Sequence, residues 1–369
     1  MAAETAEAPG APFVAGQDAV LRVENLSKHF RQRKRFGRPS PVVRAVDDVS
    51  FDLARGETLG LVGESGCGKT TLSRMILRLI EPTSGKVFLD GEDVTRLEGR
   101  HLRTFRQKVQ VVFQDPYASL DPRQKVGASV GEPLTNSGLS RERKLEIVHE
   151  TLERMGLQRG QARLFPHQFS GGQRQRIGIA RALSVTPQVL LLDEPVSALD
   201  VSIQAQVLKL LRDLREEYGL SYILISHDLS VVRHVSDRVM VMYLGRIVEI
   251  ASKHDLYTAP RHPYTASLLS AAPVPDPDVE RVRERIQLAG DPPNPVNPPP
   301  GCAFHQRCFH ASALAEKLPD DEVEVLADGR RVPGACARLQ PALAPGAAGT
   351  RWSACHFPLE NEETAAITA

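Results

Sequence analysis

The sequence predicts an α/β fold, and three observations carry that prediction. From about residue 20 to 260, β-branched apolar runs alternate with helical patterns, as strands and helices do when laid in turn around one sheet. The strand-like run TLGLV leads into a glycine loop, GESGCGKT (Gly63–Thr70), and a helical pattern follows it directly. A further apolar run, VLLLDEP (Val189–Pro195), ends on two adjacent acids.

Each element has its own signal. After the glycine loop, Leu72, Met75, Ile76, Leu79 and Ile80 recur at helical spacing and predict the buried face of a helix that begins at the loop. Leu145, Val148, Leu152 and Met155 predict a helix inside an insertion from about 98 to 175. Val207, Leu210, Leu211, Leu214 and Tyr218 predict a third, ended by Gly219. Two strand-like runs follow, SYILIS (221–226) and RVMVMYLGRIVEI (238–250), the latter turned at Gly245. From about 273 the composition shifts to PVPDPD and then DPPNPVNPPPG. Proline at that density excludes a continuous helix or a central strand and marks an extended linker.

Composition narrows the class. The 369 residues suit one large domain with a smaller one, or two domains. Lys+Arg 46 against Asp+Glu 45 gives no electrostatic argument for a nucleic-acid partner. No apolar run approaches the roughly 18–20 residues of a membrane-spanning helix. Residues 1–19 are acidic and rich in Ala, Gly and Pro, without a signal peptide's basic start or apolar core, and are expected to form a disordered cytoplasmic tail. Of five cysteines, Cys67 sits in the glycine loop; Cys302, Cys308, Cys336 and Cys355 cluster in the last fifth. Four clustered thiols in a cytoplasmic chain suggest a metal site before disulfides.

GESGCGKT fits the phosphate-loop pattern G-x-x-x-x-G-K-[ST] between strand and helix. Gly63, Gly66 and Gly68 let backbone N–H groups turn onto phosphate oxygens, and the helix N-terminus adds partial positive charge. Lys69 is expected to reach the β- and γ-phosphates, and the Thr70 hydroxyl to ligate Mg²⁺. Glu64, Ser65, Cys67 and Thr71 complete the expected nucleotide contacts, Cys67 filling a small-residue slot. In VLLLDEP, Asp193 is assigned to the Mg²⁺ shell. That leaves Glu194 to orient a water against the γ-phosphate and accept its proton.

The stretch FSGGQRQR lies between these two motifs, with Ser170, Gly171, Gly172 and Gln173 at its centre. A phosphate loop, SGGQ and an acid-ended strand in that order resemble the ATP-binding-cassette (ABC) ATPases. The resemblance implies a mixed sheet with flanking helices, an N-terminal antiparallel β subdomain and a helical insertion, within a cassette spanning 20–272. It implies ATP and Mg²⁺ as ligands, and a head-to-tail ATPase dimer. In that dimer Ser170, Gly171, Gly172 and Gln173 would bind the nucleotide held by the opposite subunit's glycine loop. His227, closing ILISHD, would contact the γ-phosphate and link it to Glu194. Gln114, in VVFQDP, would sense Mg²⁺ and water and begin the helical insertion. Asp200, in SALD, belongs to the turn that crosses to the partner. Phe30 would stack on adenine, with Phe36 in the basic loop RQRKRFGR (31–38) as its rival. Phe169 stands where the family's motif begins with Leu.

Three segments resemble one branch of that family: QDPYASLDPR (Gln114–Arg123), RHPYTASLLSAAPVPDP (261–277) and the tail beginning PPPGCAFHQRC. They look like the ATPase subunits of oligopeptide/dipeptide importers. That implies a second, non-identical ATPase subunit, two transmembrane permeases and an extracytoplasmic peptide-binding protein. The place implied is the cytoplasmic face of the membrane. Some relatives in the branch carry nickel or oligosaccharides. A soluble ABC switch in DNA repair or translation is the alternative; a single cassette with no heptad array counts against it. An exporter subunit would normally be fused to membrane segments.

Residues 273–369 then form a C-terminal region with a proline linker and a small Cys-rich tail. Its spacing lacks the close cysteine pairs of zinc ribbons, while four thiolates also hold a [4Fe–4S] cluster. The branch resemblance favours the cluster on Cys302, Cys308, Cys336 and Cys355, with zinc or free thiols as the alternatives. DGRR, between Cys308 and Cys336, is placed to turn a hairpin. His305, His310 and His356 are expected at the surface.

Overall fold

The computed structural model describes residues 18–31, 41–115, 117, 119–272, 285–288, 290–346, 349–360 and 364. Residues 1–17, most of the basic loop with Phe36, and PVPDPD lie outside the described residues.

The α/β expectation holds. The strands are β1 (Ala19–Arg31), β2 (Val42–Ala54), β3 (Thr58–Val62), β4 (Ser84–Leu89), β5 (Glu92–Asp93), β6 (Val109–Val112), β7 (Val189–Asp193), β8 (Ser221–Ile225), β9 (Arg238–Tyr243) and β10 (Arg246–Ser252). The C-terminal region adds β11 (Val323–Val325), β12 (Arg331–Pro333), β13 (Ala344–Pro345) and β14 (Trp352–Ser353). The helices of the first part are α1 (Lys69–Ile76), α2 (Gly99–Lys108), α3 (Val126–Gly131), α4 (Arg141–Arg154), α5 (Gly171–Leu183), α6 (Val201–Tyr218), α7 (Leu229–Val235), α8 (Lys253–Thr258) and α9 (Pro263–Ala271).

The main sheet runs β13-β14-β10-β9-β3-β8-β7-β6, with β6, β7, β8, β3 and β9 mutually parallel. A smaller antiparallel sheet runs β2-β1-β4-β5. The parallel strands are apolar almost throughout because both faces are covered, and the pleat sorts their residues between two cores. Leu190, Leu192, Tyr222, Leu224, Val239 and Val241 face one core with α4, α5, α6 and α9. Their sequence neighbours Val189, Leu191, Ile223, Ile225, Met240 and Met242 face the other, with α1 and the antiparallel sheet. Arg238 ties the layers: its guanidinium lies 3.3 Å from buried Asp52 on β2 and 3.2 Å from Glu57.

Two helical faces are narrower than their spacing predicts. Leu79 and Leu145 are about half exposed. Helix α1 ends at Ile76 and Arg78 turns the chain through φ 54°, which carries Leu79 off the buried face.

The C-terminal region is built into this core. The tail strand β14 pairs antiparallel with β10, Glu249 opposite Ser353 and Ile250 opposite Trp352. Cys302, Phe304 and Cys336 belong to the helical-side core, and Phe304 packs edge-on against Tyr243 and Tyr264. β11 and β12 form a hairpin around the DGRR segment. His305 and His310 are buried, against the expectation that they lie at the surface. The His305 ring Nδ1 is 2.7 Å from the Cys302 carbonyl, which gives it an internal partner.

The HPYT segment docks through a buried carboxyl. Glu249 on β10 accepts the backbone N–H groups of Arg261 (2.7 Å) and His262 (2.9 Å). His262, equally buried, accepts the Tyr264 N–H at Nδ1 and caps α9. Burial pushes Glu249 up to about 7 and His262 down to about 3. Between pH 4.5 and about 7 the folded chain keeps a proton on Glu249 that the unfolded chain has released. Stability therefore falls as pH rises through that window, by up to about 1.4 kcal/mol per unit. His262 acts oppositely: below 6.5 the unfolded chain takes a proton that the folded one refuses until about 3. Glu249→Gln removes only the first slope. Urea midpoints should show wild type losing ground to the variant from pH 4.5 to 7; a pH-independent difference would refute the assignment.

Candidate active site

The parallel strands end together at one edge, where α/β sheets commonly bind ligands. Leu61 on β3 and Asp193 on β7 both lie opposite Ile225 on β8, and Val112 on β6 lies opposite Leu192. The next residues bring the glycine loop, Gln114, Glu194 and His227 to the same edge. They line a groove of about 480 Å³ with Ser65, Gly66, Gly68, Lys69, Thr70, Thr71 and Asp193. Ile225 of β8, Val43, Arg44 and Ala45 of β2, Leu244 and Pro295 complete it. Apart from Ile225, these residues have no local motif that marks them in the sequence.

The loop is held from behind. Its Cys67 carbonyl accepts the Gly245 N–H at 2.8 Å, and the Gly245 carbonyl accepts the Asp47 N–H at 2.9 Å. Lys69 is buried, its ammonium donating to the carbonyls of Gly63 (2.8 Å) and Glu64 (2.9 Å). Cys67 is buried 3.7 Å from that ammonium, and burial raises its thiol.

Facing the loop is a small polar array. The Gln114 amide donates to Glu194 Oε2 at 2.7 Å, and His227 Nδ1 lies 3.1 Å from the same oxygen. Glu194 itself sits at φ +47°, a left-handed conformation that costs a non-glycine residue energy and gathers at functional sites. Its N–H donates to the Ile225 carbonyl at 2.9 Å, which fixes the turn. Burial and the charge of Glu194 raise Asp193 above the usual carboxylate range. Two adjacent acids, one desolvated, are a donor set that a hard divalent cation would relieve.

Other expected residues stand outside the groove. Ser170 caps α5, accepting the Gln173 N–H at 3.3 Å, while the Gln173 side chain accepts the Ser170 N–H at 3.0 Å. Gly172 faces α6 so closely that a Cβ would lie 2.6 Å from the Ile203 side chain. Asp200 begins α6. The branch-type segment after Gln114 is fastened to α5: Arg174 stacks 3.8 Å over Tyr117, and Arg181 donates to the Ser119 carbonyl at 2.6 Å. Phe30, the last but one residue of β1, lies opposite Val43 and is exposed, with the Lys28 ammonium 5.3 Å from its ring.

The four tail cysteines carry no disulfide. Burial pushes the thiols of Cys308, Cys336 and Cys355 up to about 12, and it raises Cys302 as well. Each of these four thiols lies within electrostatic reach of others in the set. Among the described residues, however, no group of three or more His, Cys, Asp and Glu is arranged to hold a metal ion. The expected metal centre is corrected to that extent. Cys302 is packed in the core, and the Cys308 Sγ accepts the Ala311 N–H at 3.3 Å.

Comparisons agree with this geometry. Residues 46–197 match the ABC transporter family, and residues 248–313 match the oligopeptide/dipeptide transporter C-terminal region. The chain is 48% identical over 328 residues to the dipeptide transport ATP-binding protein DppF of Escherichia coli, covering 89% of this chain and 91% of DppF. It is 51% identical over 311 residues to the oligopeptide transport ATP-binding protein AppF of Bacillus subtilis, covering 83% and 94%. Among solved structures, the dimeric ATP-binding cassette MJ0796 bound to ADP and Pi aligns at TM-score 0.56 and 29% identity, over 63% of this chain and 98% of that one. CbiO1 of Clostridium perfringens, part of the cbiONQ transporter complex, aligns at TM-score 0.57 and 27% identity, over 66% and 92%. A phosphate loop facing an acid-ended strand on this sheet is an ATP-hydrolysing cassette. The chain belongs to the ABC transporter ATP-binding proteins, in the importer branch that carries the oligopeptide/dipeptide C-terminal region. Among the described residues no helix is long and apolar enough to cross a membrane.

Proposed function

We propose that this chain is one of two non-identical ATPase subunits on the cytoplasmic face of a di- or oligopeptide importer, acting with two permeases and an extracytoplasmic binding protein. The observation that carries the catalytic part is the array Gln114–Glu194–His227 set across the groove from Lys69 and Thr70. Glu194 Oε2 takes the proton of the attacking water as it adds to the γ-phosphate, and the β–γ bridging oxygen leaves with ADP. Gln114 and His227 hold Glu194 Oε2 in place; Lys69, released from the loop carbonyls, turns to the β- and γ-phosphates. Thr70, Asp193 and Gln114 are the residues that would hold Mg²⁺, which neutralises phosphate charge when bound. Phe30, at the rim beside Val43, takes the adenine.

Ser170, Gly171, Gly172 and Gln173 serve the partner's nucleotide, with Asp200 in the crossing turn. Their place on α5 and at the start of α6, outside their own groove, supports that reading. ATP then closes the dimer and hydrolysis reopens it, a switch driven by differential contacts with one ligand. The peptide cargo rests on the similarity to DppF and AppF, a dipeptide and an oligopeptide transport ATP-binding protein. Affinity capture of Glu194→Gln from detergent-solubilised membranes with Mg-ATP tests the assembly. Recovery of two multi-span permeases and a second cassette supports it; the chain alone, or with ribosomes or repair factors, refutes it.

A [4Fe–4S] cluster on Cys302, Cys308, Cys336 and Cys355 completes the proposal. Four cysteines without disulfides, each within electrostatic reach of others of the set, and the branch resemblance support it. Protein purified without oxygen should carry about four iron atoms per chain, lost in Cys302→Ser. Iron-free wild type would end this part of the reading.

A further inference from the structure

Glu64, the second residue of the glycine loop, is gripped by the C-terminal region at two points. Its carboxylate faces Arg307 Nη1 at 3.1 and 3.0 Å, an ion pair in which Arg307 is only 8% exposed. Its backbone N–H donates to the Tyr264 hydroxyl at 2.8 Å. Tyr264 belongs to the HPYT helix and Arg307 to the turn before Cys308, 200 and 243 residues along the chain from Glu64. The Tyr243 hydroxyl, 3.4 Å from Arg307, closes the cluster. Glu64 also meets the nucleotide machinery directly, because its carbonyl accepts the Lys69 ammonium at 2.9 Å.

We infer that Arg307 is a positioning residue of the phosphate loop: through Glu64 it makes the C-terminal region part of the ATP site. This rests on the nucleotide reading of the groove given above. A carboxylate one residue past Gly63 is a hazard in a loop that must receive triphosphate. Arg307 neutralises it and draws it away from the phosphates. Tyr264 occupies the Glu64 N–H and thereby sets which loop N–H groups remain for ligand. Without Arg307, the Glu64 carboxylate would stand unpaired beside incoming phosphate, and the loop would lose the strut that sets the Lys69 carbonyl partner. Pro295, from the proline segment, lines the same groove, so the region meets the site a second time.

The test is a double-mutant cycle in the full chain, read by calorimetric titration with Mg-ATP and by steady-state turnover. Arg307→Met should weaken Mg-ATP binding by about 10–100-fold, the scale of a misplaced binding loop. Turnover at saturating ATP should stay close to wild type, because Glu194, Gln114 and His227 lie on other strand ends. Arg307→Lys, keeping charge but not the fork, should recover part of the affinity. In a Glu64→Gln background the Arg307→Met effect should vanish, because the two act as one unit. Folded Arg307→Met with wild-type affinity and a lower melting temperature would overturn the inference, leaving Arg307 as a fastener of the tail. The same loss in both backgrounds would overturn it too. Wild type that binds no Mg-ATP would instead bring down the nucleotide reading, and this inference with it.

Discussion

Glu194→Gln should lower ATP turnover by about 10²–10⁴-fold, the usual contribution of a positioned general base, and leave Mg-ATP affinity near wild type. Glutamine has the same shape and can still accept the Gln114 amide that now lies 2.7 Å from Glu194 Oε2. It cannot take a proton from water. The left-handed backbone at this position, φ +47°, stays strained in the variant, because the N–H bond to Ile225 and the Ser197 hydroxyl on the Glu194 carbonyl still hold the turn. Phosphate release under saturating Mg-ATP, beside equilibrium binding, separates chemistry from affinity. Wild-type turnover in the variant would remove Glu194 from the base role.

Gly68→Ala should weaken nucleotide binding by about 100-fold while the sheet stays folded. Gly68 sits at φ +112° as the cap of α1, a conformation nearly closed to residues with a Cβ. An added methyl would also overlap the Ala45 carbonyl oxygen and crowd the Met242 side chain, 2.9 Å away. The Ala45 carbonyl belongs to β2 and cannot swing aside without breaking the sheet that backs the loop. The loop must therefore move, and with it the first N–H groups of α1 and Lys69. A shift of about 1 Å there is worth roughly 100-fold. Circular dichroism should show a retained fold, and calorimetric titration a Mg-ATP affinity lower by about 100-fold. Wild-type affinity would show that the loop tolerates the displacement.

The sequence revealed the floor of the groove because its parts are local. Gly63 to Thr70 form one turn, and Asp193, Glu194 and His227 each end an apolar run that declares itself as a strand. The walls were hidden for the opposite reason. Arg44, Leu244 and Pro295 reach the groove from three separate elements, and no spacing links them. HPYT was recognised as a mark of the branch, yet its use, a buried Glu249–His262 dock and a tyrosine on the phosphate loop, exists only after folding. The tail misled in the same way. Its cysteines and prolines read as a linker and a small Cys-rich tail, whereas Phe304 and the two residues of β14 join the main core and sheet. A two-residue strand has no periodicity to read. Leu79 shows the limit of periodicity itself: the pattern continues past Ile76, but the helix does not.

The pairing of β14 with β10 also decides what happens when the chain is shortened. β10 would otherwise be the last strand on its side of the sheet, with its outer N–H and C=O groups unpaired and apolar side chains beside them. Open edges of that kind recruit other strands and drive aggregation. Trp352 and Ser353 cover Ile250 and Glu249 in the middle of it, with Ala344 and Pro345 outside them, and a proline at the new rim discourages further addition. The tail thus acts as a selvedge. A version of the chain cut after α9 would be expected to precipitate even with every ATP-site motif intact.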